Sequence, residues 1–237
     1  MKKPVKWILL SIGIILGIAV IFVIYFMVRY STMTKQMSPS ETVAINDTVF
    51  AIKDRFVNAF LFKGEDGYLM IDACMSEKKV AEELQKLNIS PEEVRVLLLT
   101  HSDGDHIGSV GLFSNAAIYL HKDEEQMING TTAKAVVKYK WAYGDYNLVE
   151  SNEILNLEGF RIKVIHTPGH TPGSCCFVIN SDYLVTGDNL DYTNGEFVHF
   201  FDTFNMDTPT QEESIKSLPD PASFKYILTA HNGVIIP

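Results

Sequence analysis

The apolar run Val94-Arg95-Val96-Leu97-Leu98-Leu99 passes directly into Thr100-His101-Ser102-Asp103-Gly104-Asp105-His106-Ile107-Gly108. This junction restricts the possible folds more than any other stretch of the chain. A short, nearly all-apolar run is the pattern of a strand covered on both faces, so its sheet must lie between other layers. Four side chains able to bind a metal then fall within six positions where the strand ends. His101, Asp103 and Asp105 are spaced by two, so an extended turn lets them converge, whereas Asp105 and its neighbour His106 point differently and can serve a second ion. Imidazole nitrogen with carboxylate oxygen suits zinc, iron or manganese, and an incomplete protein shell leaves room for a reactive water. The loop predicts two metal ions and hydrolytic chemistry.

The arrangement recurs three times. Thr167-Pro168-Gly169-His170-Thr171-Pro172-Gly173-Ser174 follows the strand-like residues 161–165, Thr186-Gly187-Asp188 follows 183–185, and Thr229-Ala230-His231-Asn232-Gly233 follows 226–228. Prolines and glycines fix the backbone where it leaves a strand, which a preorganised metal site requires. Taken singly, each of these residues reads better as a surface or capping group. Together His101, Asp103, Asp105, His106, His170, Asp188 and His231 make a metal centre the stronger reading. Asp105 can also N-cap a helix beginning near His106, a role compatible with ligation. His121, His166 and His199 fall outside the pattern and are expected at the surface or at strand ends. The aromatic stretch 197–201 around His199 is read as a packed surface loop.

In this order and context the residues resemble the metallo-β-lactamase superfamily, whose motif is His-x-His-x-Asp-His followed by a distant His, a bridging Asp and a last His. The similarity spans roughly residues 41–237. The resemblance implies an α/β fold, an αββα sandwich with metal ions at one edge of its two sheets. It implies one ion on His101, Asp103 and His170, another on Asp105, His106 and His231, and Asp188 bridging them. It also gives Asp72, which closes an early strand, a structural role beside the site. One departure is Asp103, where the family has its second His. An anionic oxygen donor favours harder ions and makes bound water less acidic, so manganese or iron stand beside zinc, the first choice. A carboxylate here is similar to flavodiiron proteins, and an Asp to the nuclease-like domains of bacterial DNA-uptake channel proteins.

The implied activity is metal-dependent hydrolysis through a dinuclear centre, which Asp105 would help to ligate, and a bridging hydroxide, which it would orient. The substrate would be a small-molecule ester, thioester, lactone, amide or phosphoester. The alternatives are an iron-dependent oxidoreductase of the same fold and a non-catalytic metal-binding sensor. β-Lactam hydrolysis does not follow from the fold, which hosts many reactions. Superfamily chains usually continue as helix after the last His, so Pro237, six residues beyond His231, leaves two expectations, a less supported second metal position or an incomplete sequence.

Residues 8–28 carry no charge, a length that as a helix crosses a bilayer core of about 30 Å. Residues 1–30 are therefore expected to form an N-terminal membrane anchor, 31–40 a polar tether containing Pro39, and 41–237 the metallo-hydrolase domain. Lys2, Lys3 and Lys6 precede the apolar stretch and Arg29 and Lys35 follow it, which favours a cytoplasmic N-terminus, a single pass and an extracytoplasmic catalytic domain. A cleaved signal peptide is disfavoured because its apolar region is usually about 7–15 residues and residues 25–29 offer no small-residue cleavage pattern. Cys74, Cys175 and Cys176 are too few and too adjacent for a disulfide framework and read as small buried groups. From Glu41 onward 15 basic residues face 29 acidic ones, a net charge of −14. Such a domain repels polyanions, and nucleic acid is an unlikely partner.

Apolar runs predict strands at 56–62, 68–71, 95–99, 117–120, 160–165, 175–179, 183–185 and 226–228. Helical spacing predicts helices at 76–87, N-capped by Ser76, at 123–128 and at 211–218. This order implies sheets layered with helices. Residues 129–150, with Lys134, Lys138, Lys140, Trp141, Tyr143 and Tyr146, are read as surface helix and loop rather than a flap over the site.

Overall fold

A computed structural model describes residues 3–134, 138, 140–193 and 196–237 and separates Met1–Met37 from Ser38–Pro237 as two compact units. In the first unit α1 spans Lys3–Thr34. Its apolar side chains from Trp7 to Val28 are exposed, and a helix apolar on every side suits lipid. By length and composition it is a candidate membrane span or signal sequence. The helix continues four residues into the expected tether because no proline or glycine interrupts residues 18–38. The Thr32 and Thr34 hydroxyls also bond back to the Val28 and Tyr30 carbonyls at 2.9 and 3.1 Å. Ser40, expected in the tether as well, is built into the second unit. Its N–H and carbonyl pair with the Asn58 amide at 2.8 and 2.9 Å, and its hydroxyl accepts from the Val234 N–H at 3.0 Å.

The second unit begins with β1 (Val43–Ala44), β2 (Val49–Asp54), β3 (Val57–Lys63) and β4 (Tyr68–Ile71), which pair antiparallel. Then α2 (Glu77–Lys86), β5 (Val94–Leu98), α3 (Gly104–Ile107), β6 (Ala117–His121), α4 (Glu125–Ile128) and β7 (Asn147–Val149) extend the sheet with parallel strands. The other half comprises β8 (Ile154–Leu157), β9 (Phe160–His166), β10 (Cys175–Ile179), β11 (Tyr183–Gly187), β12 (Leu190–Thr193), β13 (Glu196–His199), α5 (Thr208–Lys216), β14 (Tyr226–Thr229) and β15 (Gly233–Ile235). Among the described residues the sheets are seven-stranded, β1 to β7 in order, six-stranded, β15-β14-β11-β10-β9-β8, and a separate β12-β13 pair.

Alternation along β3 shows why the layers form. Phe60 and Phe62 enter the core between the sheets with Leu69, Leu98, Val164, Phe177 and Leu228. Ala59 and Leu61 enter a second core on the other face, with Val80 and Leu84 of α2. The outer face of the six-stranded sheet buries Cys176, Leu184 and Ile227, against which Leu218, Tyr192 and Phe197 pack. The result is the expected αββα sandwich. Ser76 caps α2, its hydroxyl accepting from the Lys79 N–H. All three cysteines are buried and free, and burial pushes the Cys176 thiol up to about 12.

Because β4 runs parallel to β5 and β11 parallel to β14, while β9 is separated from β11 by one antiparallel neighbour, the strand-end motifs gather at one edge. A Thr100 carbonyl to Cys175 N–H bond of 2.9 Å joins the two sheets there. Gly187 is required at that junction: its φ is +53° and a Cβ would sit 2.6 Å from the Thr100 hydroxyl oxygen, so a side chain would meet both strain and collision.

Candidate metal centre

Each imidazole at this edge is anchored through Nδ1. His106 Nδ1 lies 2.8 Å from a carboxylate oxygen of Asp72, His231 Nδ1 2.7 Å from the Phe56 carbonyl, and His170 Nδ1 3.0 Å from the Asn205 side-chain oxygen. These partners only accept, so Nδ1 carries the proton and Nε2 keeps its lone pair. His101 Nδ1 lies 3.0 Å from the Thr100 hydroxyl, which donates to Asp72 at 2.8 Å and so accepts from the ring. Asp72 also accepts the Thr100 N–H at 2.8 Å. It holds a left-handed φ of +59°, a conformation that Asp tolerates better than most residues. Asn205 is held in turn by Gln211, 2.5 Å away, and Gln211 donates to the Asp188 carbonyl at 2.8 Å.

The four Nε2 atoms converge on carboxylates. Asp188 divides its oxygens: Oδ1 is 3.1 Å from His106 and 3.1 Å from His231, while Oδ2 is 3.3 Å from His170 and 3.8 Å from His101. Asp103 Oδ2 lies 3.0 Å from His170 and 3.6 Å from His101. Asp105 Oδ2 lies 3.7 Å from His231 and 3.9 Å from His106. Ligand atoms of His101, Asp103 and His170 lie within 4.8 Å of one another, as do those of Asp105, His106 and His231. The structure thus brings together all seven residues singled out in the sequence. The Nε2 atoms of His101, His106 and His231, with Asp103 Oδ1 and Asp188 Oδ1, are buried without a hydrogen-bond partner. Such atoms are costly unless something satisfies them. Converging nitrogen and oxygen lone pairs fit divalent cations.

Electrostatics agrees. Burial opposes charge on Asp188, yet His231, His106 and His170 hold its carboxyl well below the usual range. Burial likewise opposes charge on Asp103, and the neighbouring His101 and His170 hold its carboxyl well below the usual range. On His106 burial disfavours the proton, but Asp188, Asp72 and Asp105 raise its pKa well above the ordinary value. Asp188 raises His231 against the same burial, whereas burial and the neighbouring His106 lower His101. The carboxylates around His106 and His231 draw positive charge onto these two rings, and a cation offers that charge instead.

Several expectations change here. Asp103, not Asp105, stands at the N-cap of α3, with no side-chain cap bond, because its oxygens face His101 and His170. His231 is not poorly supported: besides the Phe56 anchor, its ring stacks on Phe56 at 5.9 Å and on Phe200 at 4.9 Å. Phe200 is buried and also meets His170 edge-on at 5.5 Å, so the aromatic loop walls the centre. His199 is partly exposed and pairs with Asp202 at 2.7 Å. Within 129–150, Lys134 is no surface residue, since its ammonium contacts Asp103 and lies 2.9 Å from His170 Nε2. Trp141, Tyr143 and Tyr146 pack against the core beside α2, while residues 135–137 and 139 of that expectation lie outside the described residues.

Glu124 was missed altogether. Fully buried, it accepts from the Ser102 N–H and hydroxyl at 2.8 and 2.5 Å and from the Thr171 hydroxyl and Gly173 N–H at 2.7 and 3.0 Å. It thereby ties the His101–Asp103 loop to the His170 loop. A further cluster, His121, Asp123 and His166, has ligand atoms within 4.8 Å of one another. Its two imidazoles stack at 3.9 Å with planes 14° apart, so their in-plane lone pairs run side by side and converge poorly on one ion.

A family model described as the metallo-beta-lactamase superfamily matches residues 52–228. A probable metallo-hydrolase of Methanocaldococcus jannaschii is 28% identical over 159 residues, 67% of each chain. An N-acyl homoserine lactonase of a Bacillus species is 23% identical over 229 residues, covering 82% of this chain and 83% of the relative. A subclass B3 metallo-beta-lactamase from a soil metagenome library superposes with a TM-score of 0.65 at 17% identity, covering 82% of this chain and 80% of that one. A metallo-beta-lactamase family protein of Thermus thermophilus gives 0.62 at 21% identity, covering 81% and 76%.

Proposed function

Because the chain belongs to the metallo-beta-lactamase superfamily and is a metal-dependent hydrolase, we propose that it works through a dinuclear centre divided by Asp188. His101, Asp103 and His170 would hold the first ion, and Asp105, His106 and His231 the second. The observation that carries this reading is the division of Asp188, one oxygen facing His106 and His231 and the other His101 and His170. A pair of divalent ions supplies a hydroxide nucleophile near neutral pH and polarises the oxygen of the bond under attack. Zinc is the first choice, and the carboxylate of Asp103 brings manganese and iron into range.

The chain's own residues set the rest. Asp72, Phe56, Asn205 and Thr100 keep every Nδ1 protonated, so each ring presents Nε2, the outer support on which ligand orientation depends. Asp105 is the most exposed of the four carboxylates paired with these rings, its side chain 22% accessible, and is placed to orient the attacking water and take its proton. Phe200 shields His170 and His231. The substrate class is a small acyl compound, an ester, thioester or lactone, with amides and phosphoesters as wider alternatives. Relatives named N-acyl homoserine lactonase, atrochrysone carboxyl ACP thioesterase and hydroxyacylglutathione hydrolase support the acyl choice. We further propose that α1 remains as a single span with the catalytic unit outside the cytoplasm. Digestion of that unit by external protease on intact spheroplasts tests this, and full protection would refute it.

The test of function is elemental analysis of the detergent-purified full chain with turnover of an ester, thioester, lactone, amide and phosphodiester panel under zinc, manganese or iron. We expect two ions per chain and hydrolysis of an acyl substrate, with turnover abolished in His170→Ala. Turnover unchanged in that variant, or one ion per chain at saturating metal, would overturn the reading.

A further inference from the structure

We infer that Lys134 competes with the first ion for Asp103 and His170, so that the centre fills in a fixed order, the Asp105–His106–His231 position first. The inference rests on the two-metal reading. Lys134 Nζ contacts Asp103 Oδ2 and lies 2.9 Å from His170 Nε2, with 17% of its side chain exposed. Those two atoms belong to two of the residues that would hold the first ion. His170 has no other lone pair to give, because its Nδ1 faces the Asn205 oxygen. An ammonium donates a hydrogen bond into the one Nε2 lone pair that a metal ion needs, so the two cannot hold His170 at once, and its contact with Asp103 Oδ2 places a like charge beside any ion that this carboxylate binds.

The second position has no such competitor. The Nε2 atoms of His106 and His231 are buried without a hydrogen-bond partner, so no side-chain ammonium has to leave when an ion arrives there. At the first position an ion must turn the Lys134 ammonium away and then bear its repulsion. Both effects lower affinity there and leave the other position untouched. Lys134 is therefore a positioning residue for metal loading rather than a catalytic one.

The experiment is a zinc titration of the chelator-stripped full chain against a chromophoric chelator, in wild type, Lys134→Met and His231→Ala. Methionine keeps an unbranched side chain one atom shorter and removes the charge. Wild type should bind two ions with separated affinities, and His231→Ala should lose the tighter one. Lys134→Met should tighten the weaker one by roughly ten- to hundredfold, the range over which neighbours of metal ligands move affinity. Unchanged or weakened binding in Lys134→Met, with a metal-free melting temperature equal to wild type, would overturn the inference while leaving the two-metal reading intact. Loss of the weaker ion in His231→Ala would overturn the order. Binding of fewer than two ions by wild type would instead remove the two-metal reading, and the inference with it.

Discussion

Glu124→Gln should loosen one half of the centre and spare the other. The glutamine keeps the shape of Glu124 but can turn an accepting oxygen to only one of the two loops. If the oxygen faces Ser102, the amide nitrogen meets the Gly173 N–H; if it faces Gly173, the nitrogen meets the Ser102 N–H. Hydroxyls of Ser102 and Thr171 can rotate to accept, whereas a backbone N–H cannot. One buried donor is stranded either way, at a cost of about 1–3 kcal/mol. Burial pushes the Glu124 pKa up against the bonds from Ser102 and Thr171, so removing its charge returns part of a desolvation penalty. A net loss of about 2 kcal/mol corresponds to a melting temperature lower by roughly 4–8 °C for a unit of this size. The first position takes the functional damage, because Ser102 lies between His101 and Asp103 and Thr171 follows His170, while His106 and His231 hang on Asp72 and Phe56. Circular-dichroism melts of metal-free protein and a zinc titration measure the two effects. A melting temperature within about 1 °C of wild type, or equal weakening at both positions, would refute this account.

Asp72→Asn should weaken the second position by roughly ten- to hundredfold, since it disturbs the acceptor that orients His106; asparagine keeps the left-handed backbone accessible, so binding equal to wild type in a zinc competition assay would count against the role. His121 supplies a pH dependence away from the metal ligands. Buried and stacked on His166, it has its pKa lowered to about 4 from 6.5. In that window the unfolded chain binds the proton and the folded one does not, so stability rises with pH from about 4 to 6.5, by at most about 3 kcal/mol. Urea midpoints of wild type and His121→Gln across that range should diverge toward high pH, and parallel profiles would sink the assignment.

The ligands were legible because the chemistry restricts residue type and the turns restrict position. His170, Asp188 and His231 each stand in a glycine-bearing strand exit, and buried strands such as β4 and β10 read as uninterrupted apolar runs. Strands with one open face read poorly: Ile154–Leu157 and Glu196–His199 alternate exposed and half-buried residues, and Val43–Ala44 and Gly233–Ile235 are too short to show a period. The outer supports were harder still. The Phe56 anchor is a backbone carbonyl, which any residue offers. Glu124 sits in Asp123-Glu124-Glu125, an acidic run that reads as a solvated helix start, and only the packing of two distant loops onto it gives its role away.

Asp103 and Lys134 are explained together better than apart. Asp72, Asp103, Asp105 and Asp188 bring four carboxylates to the centre, and two divalent ions balance four negative charges without help. Before those ions bind, Asp103 would be an added anion in a buried pocket, and Lys134 offsets it there. After they bind, the ammonium is a surplus charge beside a cation, and like charges at such distances repel more strongly in a largely buried site than in bulk water. A histidine at 103 would give Lys134 no carboxylate to hold before metal binds and would leave the loaded centre one positive charge richer. The same substitution that shifts metal preference toward harder ions therefore also creates the contact by which Lys134 can delay the first of them.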